Sequence, residues 1–257
     1  MPRFFISGNL QQGDETSITG KDARHITRVL RMKPGDTLNL VDGSGTEFSA
    51  RITAASAHQV VVDVIRENVG SSREPQVHIT IFQGLPKGNK MDEVIRRNTE
   101  IGVSRFVPVI TERSIPRLDE ASLAKRVERW RRIAEEASKQ SGRQQVPHVF
   151  DVLDFDEAIQ FAAGEKKNCP RPENECLILF PWELETSRGI QGILRESPGF
   201  SEVMCFIGPE GGFSYAEAEI AKEQGAMLCS LGPRILRTET AGLVLSSIIL
   251  YEAGEMG

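Results

Sequence analysis

The chain has 257 residues, is 39% apolar and 26% charged, and carries a net charge of −5 and four cysteines. That is room for one large globular domain or two smaller ones, each with its own core. Cys169, Cys176, Cys205 and Cys229 are too few for a disulfide framework, and none forms a C-x-x-C pair, so neither a disulfide-built fold nor a zinc site is indicated. The start, Met1-Pro2-Arg3-Phe4-Phe5-Ile6, lacks the apolar region and cleavage site of a signal peptide. No apolar run is long enough to span a membrane, and the expected compartment is the cytoplasm. Charge is uneven: residues 1–145 hold 23 basic and 18 acidic side chains, whereas residues 146–230 hold 6 and 15. A basic amino-terminal half suits a polyanionic partner.

Residues 1 to about 68 alternate in the manner of short strands, with candidates at 3–6, 37–41, 47–53 and 59–65. Asp42-Gly43-Ser44-Gly45 and Pro34-Gly35-Asp36 are turns. Several short strands at close spacing predict a small barrel. Between them, residues 21–31 read as one helix. Lys21, Arg24, Arg28 and Arg31 then fall on one face, and Ile26, Val29 and Leu30 on another that packs on the barrel. The basic face suits phosphates. Residues 67–75 are polar and rich in Gly and Ser, and mark a domain boundary.

From Val77 strands alternate with helices. Strands are expected at 77–83, 105–110, 176–180, 203–207 and 227–231. Helices are expected at 90–101, 120–140, 155–163, 188–194, 215–224 and 238–253. Asn89 or Asp92 caps the first helix and Gly102 stops it. Ser214 and Glu217 form a capping box. Such alternation predicts a mostly parallel sheet with helices on both faces. Residues 164–175 read as a mobile loop. Gly84-Leu85-Pro86-Lys87-Gly88-Asn89-Lys90 follows a strand, but its spacing is not that of a P-loop, which argues against an NTPase. Lys87 and Lys90 there either line a site for an anionic substrate or belong to a solvated turn. Arg113 follows another strand end, and Arg143 follows the helix stop at Gly142, either a surface charge or a phosphate contact.

Two loops stand out. Ile207-Gly208-Pro209-Glu210-Gly211-Gly212 and Leu231-Gly232-Pro233-Arg234-Ile235-Leu236-Arg237 each follow a buried strand and precede a helix. Gly-Pro at a strand end breaks the ladder, and consecutive glycines let a ligand approach the backbone. The carboxyl edge of a parallel sheet is where ligands bind. The first loop is not G-x-G-x-x-G, so no ordinary dinucleotide site is indicated. Glu239 reads equally as a helix-dipole partner.

Taken with Pro2-Arg3-Phe4-Phe5, Arg24–Arg31, Thr99–Val103, Thr111–Ser114, Arg129-Trp130, Gln140–Arg143 and Leu231–Ala241, these loops closely resemble one family. It is the ribosomal RNA small-subunit methyltransferase E family, which makes N3-methyluridine in 16S rRNA. The resemblance covers nearly the whole chain. It implies a SPOUT α/β domain with a trefoil knot at residues 76–257, a PUA-like β-barrel at residues 1–70, a homodimer, and S-adenosyl-L-methionine as methyl donor without a metal. It implies cofactor contacts at Leu179, Phe180, Pro181, Ile207, Gly208, Pro209, Glu210, Gly211, Gly212, Leu231, Gly232, Arg234, Ile235, Leu236, Thr240 and Ala241. RNA contacts are expected from Arg3, Lys21, Arg24, Arg28, Arg31, Lys87, Arg113 and Arg143. Arg237 is expected to stabilise developing uracil charge, and Glu210 or Glu239 to accept the N3 proton. A ribose 2′-O-methyltransferase and a non-catalytic RNA-binding protein are the alternatives.

Overall fold

The computed structural model describes residues 1–68, 74–114, 119–172 and 175–256, and only the backbone of residue 120. The predicted boundary stretch at 67–75 and the loop at 164–175 lie partly outside the described residues. The chain divides into two compact units. One comprises Met1–Glu74 with Gly142–Gln145, and the other Pro75–Ser141 with Val146–Gly257. The short return of Gly142–Gln145 to the first unit corrects the expectation of one uninterrupted second domain.

In the first unit β1 (Arg3–Phe5), β2 (Glu15–Thr19), β3 (Thr37–Val41), β4 (Glu47–Ala55) and β5 (Gln59–Glu67) form a sheet in the order β1-β3-β4-β5-β2. β2 escaped the sequence reading, because five residues at a sheet edge carry little alternation of their own. Val60, Val62 and Val64 of β5 point inward with period two onto Phe4, Leu38, Leu40 and Ile52. Register shifts in the β4–β5 pairing, at Ser49/Ala50 and Ile52/Ala54, coil the sheet. Buried Asp42 fixes the turn below it, accepting the amides of Leu10, Ser44 and Thr46 and the Ser44 hydroxyl. Burial opposes its charge, but these bonds outweigh it and hold the carboxyl below its ordinary value.

The predicted helix at 21–31 is two pieces. α1 (Gly20–Arg24) runs straight into a π-helical turn at His25–Val29. The change of pitch alters which side chains face inward. Ala23 and Ile26 are fully buried, but Val29 is 66% exposed and Leu30 39%. The expectation that Val29 and Leu30 pack on the barrel is therefore corrected.

The second unit is a parallel sheet. β6 (His78–Gly84), β7 (Arg105–Ile110), β8 (His148–Val149), β10 (Cys176–Pro181), β11 (Glu202–Ile207) and β12 (Met227–Cys229) lie in the order β12-β10-β11-β6-β7-β8, with β9 (Leu153–Asp154) also paired to β7. β6, β10 and β11 are apolar on both sides because helices cover both faces. One face packs Ile79, Ile81, Leu177, Leu179, Val203 and Cys205 against α2 (Lys90–Ile101), α3 (Glu120–Ser141) and α7 (Thr238–Glu252). The other stacks Phe82 on Phe206 at 4.4 Å and Phe180 on Phe213 at 4.3 Å, beneath α4 (Phe155–Asn168) and α6 (Tyr215–Glu223). α4 runs to Asn168, so half of the supposed mobile loop is helix. α5 (Ile190–Glu196) completes the set. Gly102 ends α2 at φ 116°, and the Ser214–Glu217 capping box opens α6. Asn89 stands at the α2 N-cap without a capping side-chain bond.

Connections leave β11 and β6 in opposite directions along the sheet, so their carboxyl ends bound a crevice. The stretch after β12 is stitched to both sides of it. Ser230 donates its amide to Arg188 and accepts that of Ile190, while the Thr238 hydroxyl donates to the Gly208 carbonyl at 2.6 Å. These bonds hold the stretch after β12 against the loops that follow β10 and β11.

Candidate active site

Three loops at the ends of β10, β11 and β12 enclose a cavity of about 950 Å³ in the second unit. Of the residues named as cofactor contacts, Pro181, Ile207–Gly212, Leu231, Gly232, Arg234, Ile235, Leu236 and Ala241 line it, and so does Arg237. Leu179, Phe180 and Thr240 do not. Leu179 and Phe180 are fully buried strand residues, one on each face of the sheet. Trp182, Glu183, Thr186, Gly189, Phe213 and Thr238 line the cavity without having been anticipated. They sit beside the glycine motifs rather than in them, and only proximity to Pro181 or Phe213 could have pointed to them.

Glycines let backbone form part of the walls. Gly208 has Gly212 Cα 3.2 Å from where a side chain would begin. Gly212 has φ 66° and abuts the Glu183 carboxylate, so a side chain there would be both strained and blocked. Gly84 has Pro209 Cδ only 2.6 Å from the equivalent position, which lets the β6 and β11 ends touch. Phe213 anchors its loop in the aromatic core, and Trp182 Nε1 donates to its carbonyl at 3.3 Å. The amides of Leu231, Ile235 and Leu236 donate to nothing among the described residues. A cavity of this size with free backbone donors and little steric bulk fits a nucleoside-containing cofactor.

Buried Gln83, at the end of β6, ties the loops together. Its amide nitrogen donates to Thr238 Oγ1 at 2.9 Å and to the Gly84 carbonyl at 3.0 Å. The charged groups centre on Lys90, at the start of α2. Its Nζ lies 2.8 Å from Glu210 Oε1 and 3.6 Å from Glu239 Oε2. Glu210 also accepts the Lys87 amide. Burial would raise the Glu210 carboxyl, but Lys90 and the amide hydrogen bonds outweigh it and hold it below its ordinary value. The hydrogen bond to Glu210 raises the Lys90 ammonium. Lys90 was expected to line a site for an anionic substrate; it does line the cavity, but it faces two carboxylates whose positions more than a hundred residues away the sequence did not link to it. Arg237 is exposed at the N-cap of α7, lines the cavity, and has no side-chain partner among the described residues.

The basic residues divide. Lys21, Arg24, Arg28 and Arg31 are exposed, as is Lys87. Arg113 donates to the Gly211 carbonyl at 2.9 Å and so braces the cavity loop. Arg3 is bound to Glu47 and to the Arg143 carbonyl. Arg143 is 5% exposed and paired with Glu74 at 2.6 Å, which corrects its assignment as an RNA contact: a buried arginine held by a carboxylate is not offered to phosphates.

A parallel sheet of this order, its cavity built from three strand-end loops, and a separate small β unit define an RNA methyltransferase of the SPOUT type with a PUA-like domain. An RNA methyltransferase domain model matches residues 72–250, and an RNA methyltransferase PUA domain model matches residues 18–65. The ribosomal RNA small subunit methyltransferase E of Bacillus subtilis is 37% identical over 98% of this chain and 97% of its own. That of Mycobacterium tuberculosis is 30% identical over 94% and 88%. A crystal structure of the Neisseria gonorrhoeae enzyme of that name, bound to S-adenosyl methionine, superposes with a TM-score of 0.83 at 31% identity, over 98% of this chain and 97% of that one. The chain belongs to the ribosomal RNA small subunit methyltransferase E family.

Proposed function

We propose that this protein transfers a methyl group from S-adenosyl-L-methionine to N3 of a uridine in 16S rRNA of the small ribosomal subunit. The observation that carries the reading is Arg237, an exposed guanidinium that lines the cavity and has no side-chain partner among the described residues. The loops at Ile207–Gly212 and Leu231–Leu236 hold the cofactor, which supplies an electrophilic methyl when bound. Uridine N3 keeps a proton near neutral pH and attacks only once that proton is lost. Arg237 stabilises the negative charge that then spreads onto the uracil oxygens. Glu210 is the proton acceptor of the two candidates, because it lines the cavity and Glu239 does not. Lys90 holds it ionised and in place. Lys21, Arg24, Arg28 and Arg31 grip RNA phosphates, and Lys87 and Arg113 lie near the cavity loops. No helix among the described residues is long and apolar enough to cross a membrane, which suits action in the cytoplasm.

A homodimer is part of this reading. α7 is rich in apolar residues beyond those it buries, and leaves Leu243, Val244 and Ile248 half-buried with Tyr251 71% exposed. A second copy would cover that face. Sedimentation of the parent and of Leu243→Glu tests it, the variant shifting to monomer.

The activity is tested with labelled cofactor and small subunits, followed by digestion to nucleosides. Label in N3-methyluridine is expected. Label on ribose would favour 2′-O-methylation, and no cofactor binding by calorimetry would favour an RNA-binding role alone.

A further inference from the structure

The π-helical turn at His25–Val29 places two aliphatic side chains where a regular helix would have buried them. Leu30 donates its amide to the His25 carbonyl at 2.9 Å, five residues back, and Met32 donates to Ile26 at 3.0 Å. The extra residue per turn leaves Ala23 and Ile26 in the core and turns Val29 and Leu30 outward. Arg31 follows at φ 54°, the one non-glycine residue with positive φ among those described. An arginine gains nothing from that backbone by itself, and such strain clusters at sites of recognition.

What surrounds the pair defines its partner. Lys21, Arg24, Arg28, Arg31 and Lys33 are all exposed, and none makes an ion pair among the described residues. The acidic side chains nearby in sequence are half-buried Asp22 and exposed Asp36. An apolar tip rimmed by free cations complements a nucleic acid: phosphates meet the rim, and an unstacked base meets the tip. We propose that Val29 and Leu30 form an apolar wedge that packs against an unstacked base of the substrate RNA while the surrounding cations hold its backbone. The proposal rests on the RNA-binding reading of the first unit, and adds a non-electrostatic contact to it.

The two contributions separate by their salt dependence. Phosphate contacts release counterions and steepen the fall of affinity with salt, whereas apolar packing does not. Binding of the full-length chain to purified small ribosomal subunits is measured across a salt series. Val29→Ser/Leu30→Ser should weaken binding roughly tenfold, as expected for half of two aliphatic side chains leaving water, with an unchanged salt slope. Arg24→Glu/Arg28→Glu/Arg31→Glu should weaken binding and flatten the slope by about three units. An effect of the arginine variant alone would overturn the wedge and leave RNA binding standing. No effect of the arginine variant would overturn the RNA-binding reading itself. Photo-crosslinking from Val29→p-benzoylphenylalanine, which does not depend on the serine variant folding, should yield a ribonuclease-sensitive adduct with the subunit. A ribonuclease-resistant adduct, which is a crosslink to protein, or no adduct under saturating binding, overturns the proposal.

Discussion

Thr238→Val should loosen the cavity while barely changing its shape. The hydroxyl is nine-tenths buried and makes two bonds, donating to the Gly208 carbonyl at 2.6 Å and accepting from Gln83 Nε2 at 2.9 Å. Gln83 keeps the Gly84 carbonyl at 3.0 Å and the Ile207 carbonyl at 3.4 Å, so its nitrogen is not orphaned. The loss falls on Gly208, whose carbonyl loses this donor. Gly208 is half-buried, so water restores part of that bond, and the cost lies near the lower end of the range, about 1–2 kcal/mol. Both tryptophans, Trp130 and Trp182, belong to the second unit, so their fluorescence in a urea titration reports that unit. The midpoint should fall with the slope unchanged. Because the same bond fixes the Ile207–Gly212 loop, cofactor affinity by calorimetry should fall as well, and Thr238→Ser should restore both. A midpoint and an affinity equal to the parent's would refute the role given to this hydroxyl.

Arg237→Ala should retain cofactor affinity and lose about 10²–10³-fold in turnover, the scale for removing one stabiliser of developing charge; an equal loss of affinity would move Arg237 into the binding machinery. Gly212→Ala should bind cofactor poorly, since φ is 66° and the new methyl meets the Glu183 carboxylate. Adding Glu183→Ala should recover only part, because the steric block goes and the backbone strain stays; full recovery would show the strain to be negligible. Lys90→Met should alter the acid side of the pH profile. In the parent, Glu210 stays ionised as pH falls through the ordinary carboxylate range, and its contribution is lost only below that. Without Lys90, burial and neighbouring Glu239 raise the carboxyl, so activity should decline at a higher pH than in the parent. Coincident acid limbs would mean that Lys90 does not govern Glu210.

Most of the second unit was legible because its central strands are continuous apolar runs, and some helices carry clear end signals, such as Gly102 after α2 and the Ser214–Glu217 capping box of α6. The glycine loops were legible for the same reason: close backbone approach leaves a mark in composition. Gln83 left none: a glutamine at a strand end is ordinary locally, and acquires meaning only when β11 and α7 fold against it. Lys90 stood out as a lysine beside a strand-end loop, but its pairing with Glu210 and Glu239 did not. Arg143 erred the other way. It follows a helix stop beside other polar residues, and only the fold reveals Glu74 waiting for it. The Val29–Leu30 reading failed because a 3.6-residue period was assumed through a stretch that changes pitch.

The return of Gly142–Gln145 to the first unit has a consequence for modularity. Its Arg143 lies in the middle of the sequence that otherwise builds the methyltransferase sheet, yet its charge is answered by Glu74 and its carbonyl by Arg3. Neither unit is therefore a cassette. Exchanging the first unit between relatives at a single splice near residue 74 would separate Arg143 from its own Glu74, and a chimera that keeps the pair must carry that tetrapeptide along with it.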